Sequence, residues 1–155
     1  MGLLINNTDF FGLDIGTSAI RVVQMKGGKT KTLAHYGALD IDPKMAKSDS
    51  NADLQKLGQA IKQAVAESRI STKNVAVGLP SQKVFMTVVD IDRLSEKELD
   101  SSIRLQADSL IPTPLDESKI DWSLLGDSPK DQGKVEILLG SVPNAFVERR
   151  LDLLE

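Results

Sequence analysis

The residues most able to do chemistry lie in one short stretch near the amino terminus. Asp14 ends an apolar run and is followed closely by Gly16, Thr17 and Ser18. Glycine lets the backbone approach a ligand, three successive amides can face one concavity, and two hydroxyls add donors, so the turn suits an oxyanion such as phosphate. Asp14 would orient a Mg²⁺ ion, mostly through the ion's waters. The stretch therefore predicts a phosphate and magnesium site, with an Asx-type turn that binds no ligand as the alternative.

The strands that would hold this turn are predicted from the apolar pattern around it. Residues 10–15 and 19–25 are mostly apolar and flank the turn directly, which indicates two strands of a hairpin. Glycines at 27 and 28 then supply a second turn, and residues 32–41 form a third extended segment. We expect an antiparallel meander of three strands.

A helix and a fourth strand are predicted to follow the meander. Residues 43–50 are polar and typical of a turn, and Asn51 is placed to cap a helix. Its apolar residues recur at spacings of three, four and seven until Arg69, so they form one buried stripe. Residues 75–79 form a short, mostly apolar segment that ends at a Pro-Ser pair, which indicates the next strand.

The rest of the chain repeats strands and helices in the order β-α-β-β-α. Strands are predicted at residues 84–92, 120–125 and 135–142. Ser95 and Glu98 have the spacing of a capping box, and the helix that they start must end before Pro112. Asn144 is predicted to cap the last helix, which reaches Glu155 with no stop signal, so we expect the natural gene product to continue.

Composition sets limits on function. The chain has 155 residues, is 41% hydrophobic and 26% charged, and carries a net charge of −3. This composition is typical of a soluble globular protein. The net negative charge gives no overall positive potential that would attract nucleic acid. It contains no cysteine, which favours a reducing compartment such as the cytoplasm. No apolar run is long enough for a signal peptide or a membrane span.

The hairpin motif resembles the first phosphate motif of the actin superfamily, which includes the heat-shock ATPases and the sugar kinases. That motif is a D-x-G-[TS] hairpin in a ribonuclease-H-like subdomain, matched here by Asp14, Gly16 and Thr17. The surrounding residues 12–18 look most like the branch that contains FtsA and PilM. Arg21 stands where actins carry a phosphate-contacting lysine. The resemblance implies that Asp14, Gly16, Thr17, Ser18 and Arg21 contact nucleotide phosphates, with Asp14 at the metal.

A second motif narrows the resemblance to the PilM family of type IV pilus assembly. Residues 105–115 resemble the family's helix that ends in Ile-Pro-x-Pro-Leu. An acidic and apolar strand at 120–124 and another strand at 135–139 follow it, as in the family. The resemblance covers almost the whole chain.

The family implies an α/β fold of two parts. Residues 1–81 would be the amino-terminal part of the ribonuclease-H-like, actin-like subdomain (IA), and residues 82–155 the small inserted α+β subdomain (1C). The full-length family protein is implied to bind ATP and Mg²⁺ and to hydrolyse ATP weakly if at all. Its second phosphate aspartate and its adenosine motif have no counterpart before Glu155, so we expect these residues alone not to hold a nucleotide stably.

The same resemblance implies a partner and a place in the cell. In PilM-like proteins a groove formed by the two subdomains takes the N-terminal tail of the inner-membrane protein PilN. The chain would then be a cytoplasmic scaffold held at the inner membrane through partners, with self-association as a further property. Alternatives are an FtsA-like division protein, a cytoplasmic adaptor of type II secretion, part of a sugar- or acetate-kinase-like phosphotransferase, or a protein-binding module with a vestigial hairpin.

Four other features have simpler interpretations. Residues 28–30 imitate the end of a P-loop but precede a strand rather than a helix, so they predict a hairpin turn. His35 is the only histidine, and no nucleophile-elbow motif accompanies it, so the sequence does not predict a hydrolase triad. Asp90 and Asp92 could ligate a metal but more often mark a solvated strand end. Trp122 is interpreted as a core residue, with a partner anchor as the alternative.

Overall fold

A computed structural model of the protein describes residues 9–48 and 50–155. The chain divides into two compact units. The first ends at Leu79 and also includes Leu153–Glu155, whereas the second is Pro80–Asp152. The sequence places the boundary two residues later, between 81 and 82. The assignment of the two units to subdomains of the actin fold stays a prediction.

The first unit is built on a mixed four-stranded sheet. Its strands are β1 (Phe11–Ile15), β2 (Ala19–Lys26), β3 (Thr32–Asp40) and β4 (Val75–Val77), in the order β3-β2-β1-β4. The first three are antiparallel neighbours, and β4 lies parallel to β1. This confirms the predicted meander followed by a further strand.

One face of this sheet is covered by the predicted amphipathic helix. That helix, α2 (Asn51–Glu67), buries Leu57, Ile61 and Ala64. They pack with buried strand residues, including Leu13 and Ile20, to form the first core. Removing such apolar surface from water is the main driving force that holds the helix on the sheet.

Two local predictions in the first unit are wrong. The cap of α2 is Ser50, whose side chain accepts a hydrogen bond from the amide of Asp53, whereas Asn51 is the first helical residue. The segment predicted as a turn contains a short helix, α1 (Pro43–Lys47). Its start is fixed by Asp42, whose carboxylate accepts from the Lys44 amide at 2.8 Å, and by proline at the first helical position.

The second unit has a separate antiparallel sheet. Its strands are β5 (Phe85–Asp92), β6 (Ser118–Asp127) and β7 (Lys134–Pro143), in the order β5-β7-β6. Helices α3 (Glu96–Leu110) and α4 (Asn144–Leu154) complete the predicted β-α-β-β-α order. The α/β fold class with two sheets is therefore confirmed.

The second core lies between α3 and one face of this sheet. Ile103, Ile137 and Leu139 have no exposed surface and pack with other buried aliphatic residues of the helix and strands. The predicted capping box of α3 is present: the Glu98 carboxylate accepts from the Ser95 amide at 3.1 Å and from its hydroxyl at 2.6 Å. These bonds lower the pKa of Glu98.

The predicted cap of the last helix is wrong. Asn144 is the first residue of α4, and its side-chain amide donates to the Asp116 carbonyl at 2.8 Å. Its side-chain oxygen has no hydrogen-bond partner among the described residues, so it caps no amide. Within residues 9–48 and 50–155, none of the helices combines the length and the apolar character needed to cross a bilayer.

Candidate functional site

The turn between β1 and β2 brings the predicted site residues together. Asp14 lies in β1, Gly16, Thr17 and Ser18 form the turn, and Arg21 lies in β2 directly across from Asp14. The Ser18 carbonyl accepts from the Ile41 amide at 2.9 Å, which fastens the turn to the segment after β3. A hairpin of adjacent antiparallel strands thus places all five residues within one local structure.

Gly16 is required by close packing of the turn itself. A Cβ atom at this position would lie 2.9 Å from the Ala19 carbonyl oxygen and 3.1 Å from a guanidinium nitrogen of Arg21. The Gly16 amide donates to that same carbonyl at 3.0 Å. The expectation that three amides face a ligand is therefore wrong for Gly16, whose N–H is used to close the hairpin.

The next two residues leave donors available. Thr17 and Ser18 are exposed, and their amide N–H groups have no acceptor within the described part of the chain. Both side chains add a hydroxyl. Two amides and two hydroxyls at one exposed turn can surround one face of an oxyanion.

The carboxylate of Asp14 is accessible but paired. Its Oδ2 lies 3.1 Å from Nη1 of Arg21, and both side chains are 59% exposed. An ion pair this exposed contributes little to stability, because water and salt screen it. The pair instead sets one anionic and one cationic group side by side on the outer surface of the hairpin.

Gly78 was not identified from the sequence and borders the same carboxylate. Its amide donates to the Leu13 carbonyl at 2.9 Å, which continues the parallel pairing of β4 with β1. A Cβ atom here would lie 4.0 Å from Oδ1 of Asp14. The carboxyl ends of two parallel strands therefore meet at Asp14, the usual place for a ligand in an open α/β sheet. A glycine directly after a short apolar strand was the available signal.

The donor set fits a phosphate with a hydrated Mg²⁺ ion. Magnesium is commonly held by one or two carboxylates, waters and substrate phosphates rather than by a full cage of protein ligands. Within the described residues, no group of three or more histidine or carboxylate side chains could hold a metal ion. Asp14 would be a single protein ligand, and its role at a metal stays a prediction.

Two weaker candidates have structural roles. Residues 28–30 lie in the turn between β2 and β3, where Gly27 has a φ of 104°, and no helix follows, so the hairpin-turn interpretation is confirmed. Asp90 is half-buried beside Lys130, with Nζ to Oδ2 at 3.5 Å. The Ser128 hydroxyl and Lys130 lower the pKa of Asp90, which stabilises its charged form without a metal.

Trp122 belongs to the second core, as predicted. Its ring packs against the buried cluster between α3 and the sheet. Its indole N–H donates to Oδ1 of Asp100 at 3.1 Å, and this bond, with the guanidinium of Arg104, lowers the pKa of Asp100. The residue fastens β6 to α3.

Comparison with known proteins identifies the relatives of this fold. Residues 12–155 match the family model of the type IV pilus assembly protein PilM. A solved structure described as the PilM-PilN type IV pilus biogenesis complex matches with a TM-score of 0.79 and 24% identity, over 93% of this chain and 43% of that chain. The chain therefore spans less than half the length of that relative.

A more distant match comes from a secretion system. The cytoplasmic domain of EpsL, an inner membrane component of the type II secretion system of Vibrio cholerae, matches with a TM-score of 0.50 and 12% identity. The match covers 94% of this chain and 52% of that one, and at this identity it shows a shared fold alone. Because the family model covers nearly the whole sequence, this chain belongs to the family of the type IV pilus assembly protein PilM.

Proposed function

We propose that this chain is part of a nucleotide-dependent scaffold of type IV pilus assembly and contributes one wall of its phosphate site. The observation that carries the proposal is the hairpin at residues 14–18, which sets an exposed carboxylate next to free amides and hydroxyls within the part of the chain that matches PilM. ATP with Mg²⁺ is the proposed ligand of the full-length family protein.

Each residue of the hairpin has a role in the proposed site. The free amides and hydroxyls of Thr17 and Ser18 would donate hydrogen bonds to phosphate oxygens. Gly16 would keep the turn tight enough for the backbone to approach the ligand. Arg21 would supply the positive charge, and Asp14 would orient a Mg²⁺ ion, which neutralises phosphate charge when it is bound.

The proposed partner is the N-terminal tail of a PilN-like inner-membrane protein. The support is the family of the chain and the description of the matched structure as a PilM-PilN complex. An extended tail is a suitable ligand for a protein with strand edges and side-chain pockets, because the backbone supplies affinity and the pockets supply specificity. Scaffolding through the tail would hold the protein at the inner membrane.

Titration of this chain with each ligand separates the two parts of the proposal. We expect a fluorescent peptide of a PilN-type tail to bind saturably and MgATP to give no measurable binding, because the resemblance puts the adenosine motif beyond Glu155. If the peptide did not bind, the partner proposal would be wrong. Tight binding of MgATP would contradict the assignment of an incomplete nucleotide site.

In the full-length family protein, Asp14→Ala is expected to weaken magnesium-dependent binding of ATP at least about tenfold, or about 1.4 kcal/mol. The reason is loss of the one carboxylate that the hairpin offers to the metal. Calorimetric titration with and without Mg²⁺ measures the effect, and an unchanged melting temperature shows that the fold survives.

Asp40→Ala is the matched control for that variant. Asp40 is an exposed carboxylate that pairs in register with Ala19 beside the same hairpin, and it lies outside the proposed site. Equal weakening in both variants would show a general charge effect rather than metal binding at Asp14.

A further inference from the structure

The turn between β2 and β3 concentrates positive charge. Lys26, Lys29 and Lys31 lie within this short segment, and all three residues are exposed. The sequence has no acidic residue between Asp14 and Asp40, although the whole chain carries a net charge of −3. Residues 26–31, which we name the basic tip, are therefore a local cationic feature of a protein that is acidic as a whole.

The charges of the basic tip are not neutralised by neighbouring carboxylates. Within the part of the chain that the structure describes, the ion pairs use other cations. Nζ of Lys31 donates to the Gly27 carbonyl at 3.0 Å, which holds the turn together but leaves the charge of the lysine in place. The tip is thus free to attract an anionic surface.

An exposed apolar pair adjoins the basic tip. Met25 on β2 and Leu33 on β3 lie opposite one another in the strand register, so their side chains are neighbours on one face of the sheet. Met25 is 39% exposed and Leu33 is 55% exposed. Lysines with long flexible stems beside such a pair make a surface that is cationic at its edge and apolar next to it.

The combination fits the headgroup region of an anionic bilayer. Each lysine close to an anionic membrane surface strengthens attachment roughly fivefold. Exposed apolar side chains next to the cations gain by entering the boundary between headgroups and acyl chains. A nucleic acid or an acidic peptide would use the lysines alone and would leave Met25 and Leu33 in water.

We propose that the basic tip contacts the anionic lipid surface of the membrane, an attachment that goes beyond the proposed one through a partner's tail. Three lysines strengthen attachment by only about a hundredfold, which is too little to anchor a protein alone. Stable attachment at a bilayer generally takes two signals. The tip supplies one of them and turns its end of the first sheet toward the lipid.

Co-sedimentation with lipid vesicles tests the proposal on this chain in the absence of any partner. We expect the chain to partition onto vesicles of phosphatidylglycerol and phosphatidylcholine at least about tenfold better than onto vesicles of phosphatidylcholine alone. Added salt should remove most of this difference, because it screens exposed charges. Equal partition onto the two kinds of vesicle would overturn the proposal.

Charge-removing substitutions locate the contact. Lys29→Gln is expected to lower the partition onto the anionic vesicles about fivefold, and the double variant Lys29→Gln, Lys31→Gln about twenty-fivefold. Lys62→Gln is the matched control, because Lys62 is an exposed lysine of α2 with no ion-pair partner among the described residues. An equal loss in Lys62→Gln and Lys29→Gln would show a general charge effect and contradict the role of the tip.

Leu33→Thr distinguishes a bilayer from a soluble polyanion. Threonine is well tolerated in strands and removes most of the apolar surface, so the partition onto anionic vesicles should fall roughly threefold. Binding to polyglutamate, the soluble anionic probe, should not change.

One result would assign the tip to an acidic protein instead of lipid. It is binding of the parent chain to polyglutamate as tight as to the anionic vesicles, with Leu33→Thr partitioning onto those vesicles like the parent. The lipid proposal would then be wrong. The scaffold proposal would still stand, because titration with the tail peptide tests it separately.

Discussion

Ile137→Ala is expected to lower the free energy of unfolding of the second unit by about 2–5 kcal/mol. Ile137 has no exposed surface and lies on the central strand β7, in register between Val89 on β5 and Leu124 on β6. It packs with Ile103 of α3 in the same core. Truncation removes three buried carbons and leaves a cavity that the surrounding strands and helix cannot fully close.

The tryptophan of the chain reports this loss directly. Trp122 is the only tryptophan and packs against the core that contains Ile137. Urea denaturation followed by its fluorescence should show a lower midpoint in the variant, with an unchanged slope. An unchanged midpoint would contradict the central position assigned to Ile137.

Ile20→Ala provides the matched control in the other core. Ile20 is also fully buried, but it packs in the first core with Leu13 and Leu57. Because the two cores share no buried residue, we expect a smaller shift of the Trp122 transition. A shift as large as that of Ile137→Ala would show that the two cores unfold as one.

Strong periodic patterns made most of the fold predictable from the sequence. The stripe that includes Leu57 and Ile61 indicated α2, and the capping box at Ser95 fixed the start of α3. Short elements without a periodic apolar pattern were missed. One of them is α1, whose start depends on the carboxylate of Asp42 and on one proline. Ser50 and Asn51 are both good cap residues, so only the backbone conformation decides between them.

The candidate site was predictable in composition but not in its contacts. The motif named Asp14 and the turn after it, because residue types and spacing alone suggest a phosphate hairpin. The pairing of the Gly16 amide with Ala19 depends on turn geometry, and the position of Gly78 beside Asp14 depends on a parallel pairing across more than sixty residues. The alignment of Met86, Gly140 and Asp121 in one row requires the register of three strands at once. Contacts of this kind come from tertiary structure, which local patterns do not specify.

Gly16→Ala is expected to destabilise the first unit by about 1–3 kcal/mol, the usual cost of overpacking a close contact. The added Cβ would meet the Ala19 carbonyl oxygen at 2.9 Å, and this atom belongs to the backbone and accepts the Gly16 amide. Relief therefore requires the hairpin to open rather than a side chain to turn aside. Thermal denaturation followed by circular dichroism measures the loss.

Gly28→Ala tests whether the effect is specific to the close approach. Gly28 lies in the next turn along the chain, and a Cβ there would have nothing within 4 Å. Its replacement should leave the melting temperature unchanged or raise it slightly, because alanine restricts the unfolded chain. If both variants were as stable as the parent, the close contact assigned to Gly16 would be contradicted. Under the proposed phosphate role of the turn at Gly16, Gly16→Ala in the full-length protein should also weaken magnesium-dependent ATP binding, whereas Gly28→Ala should not.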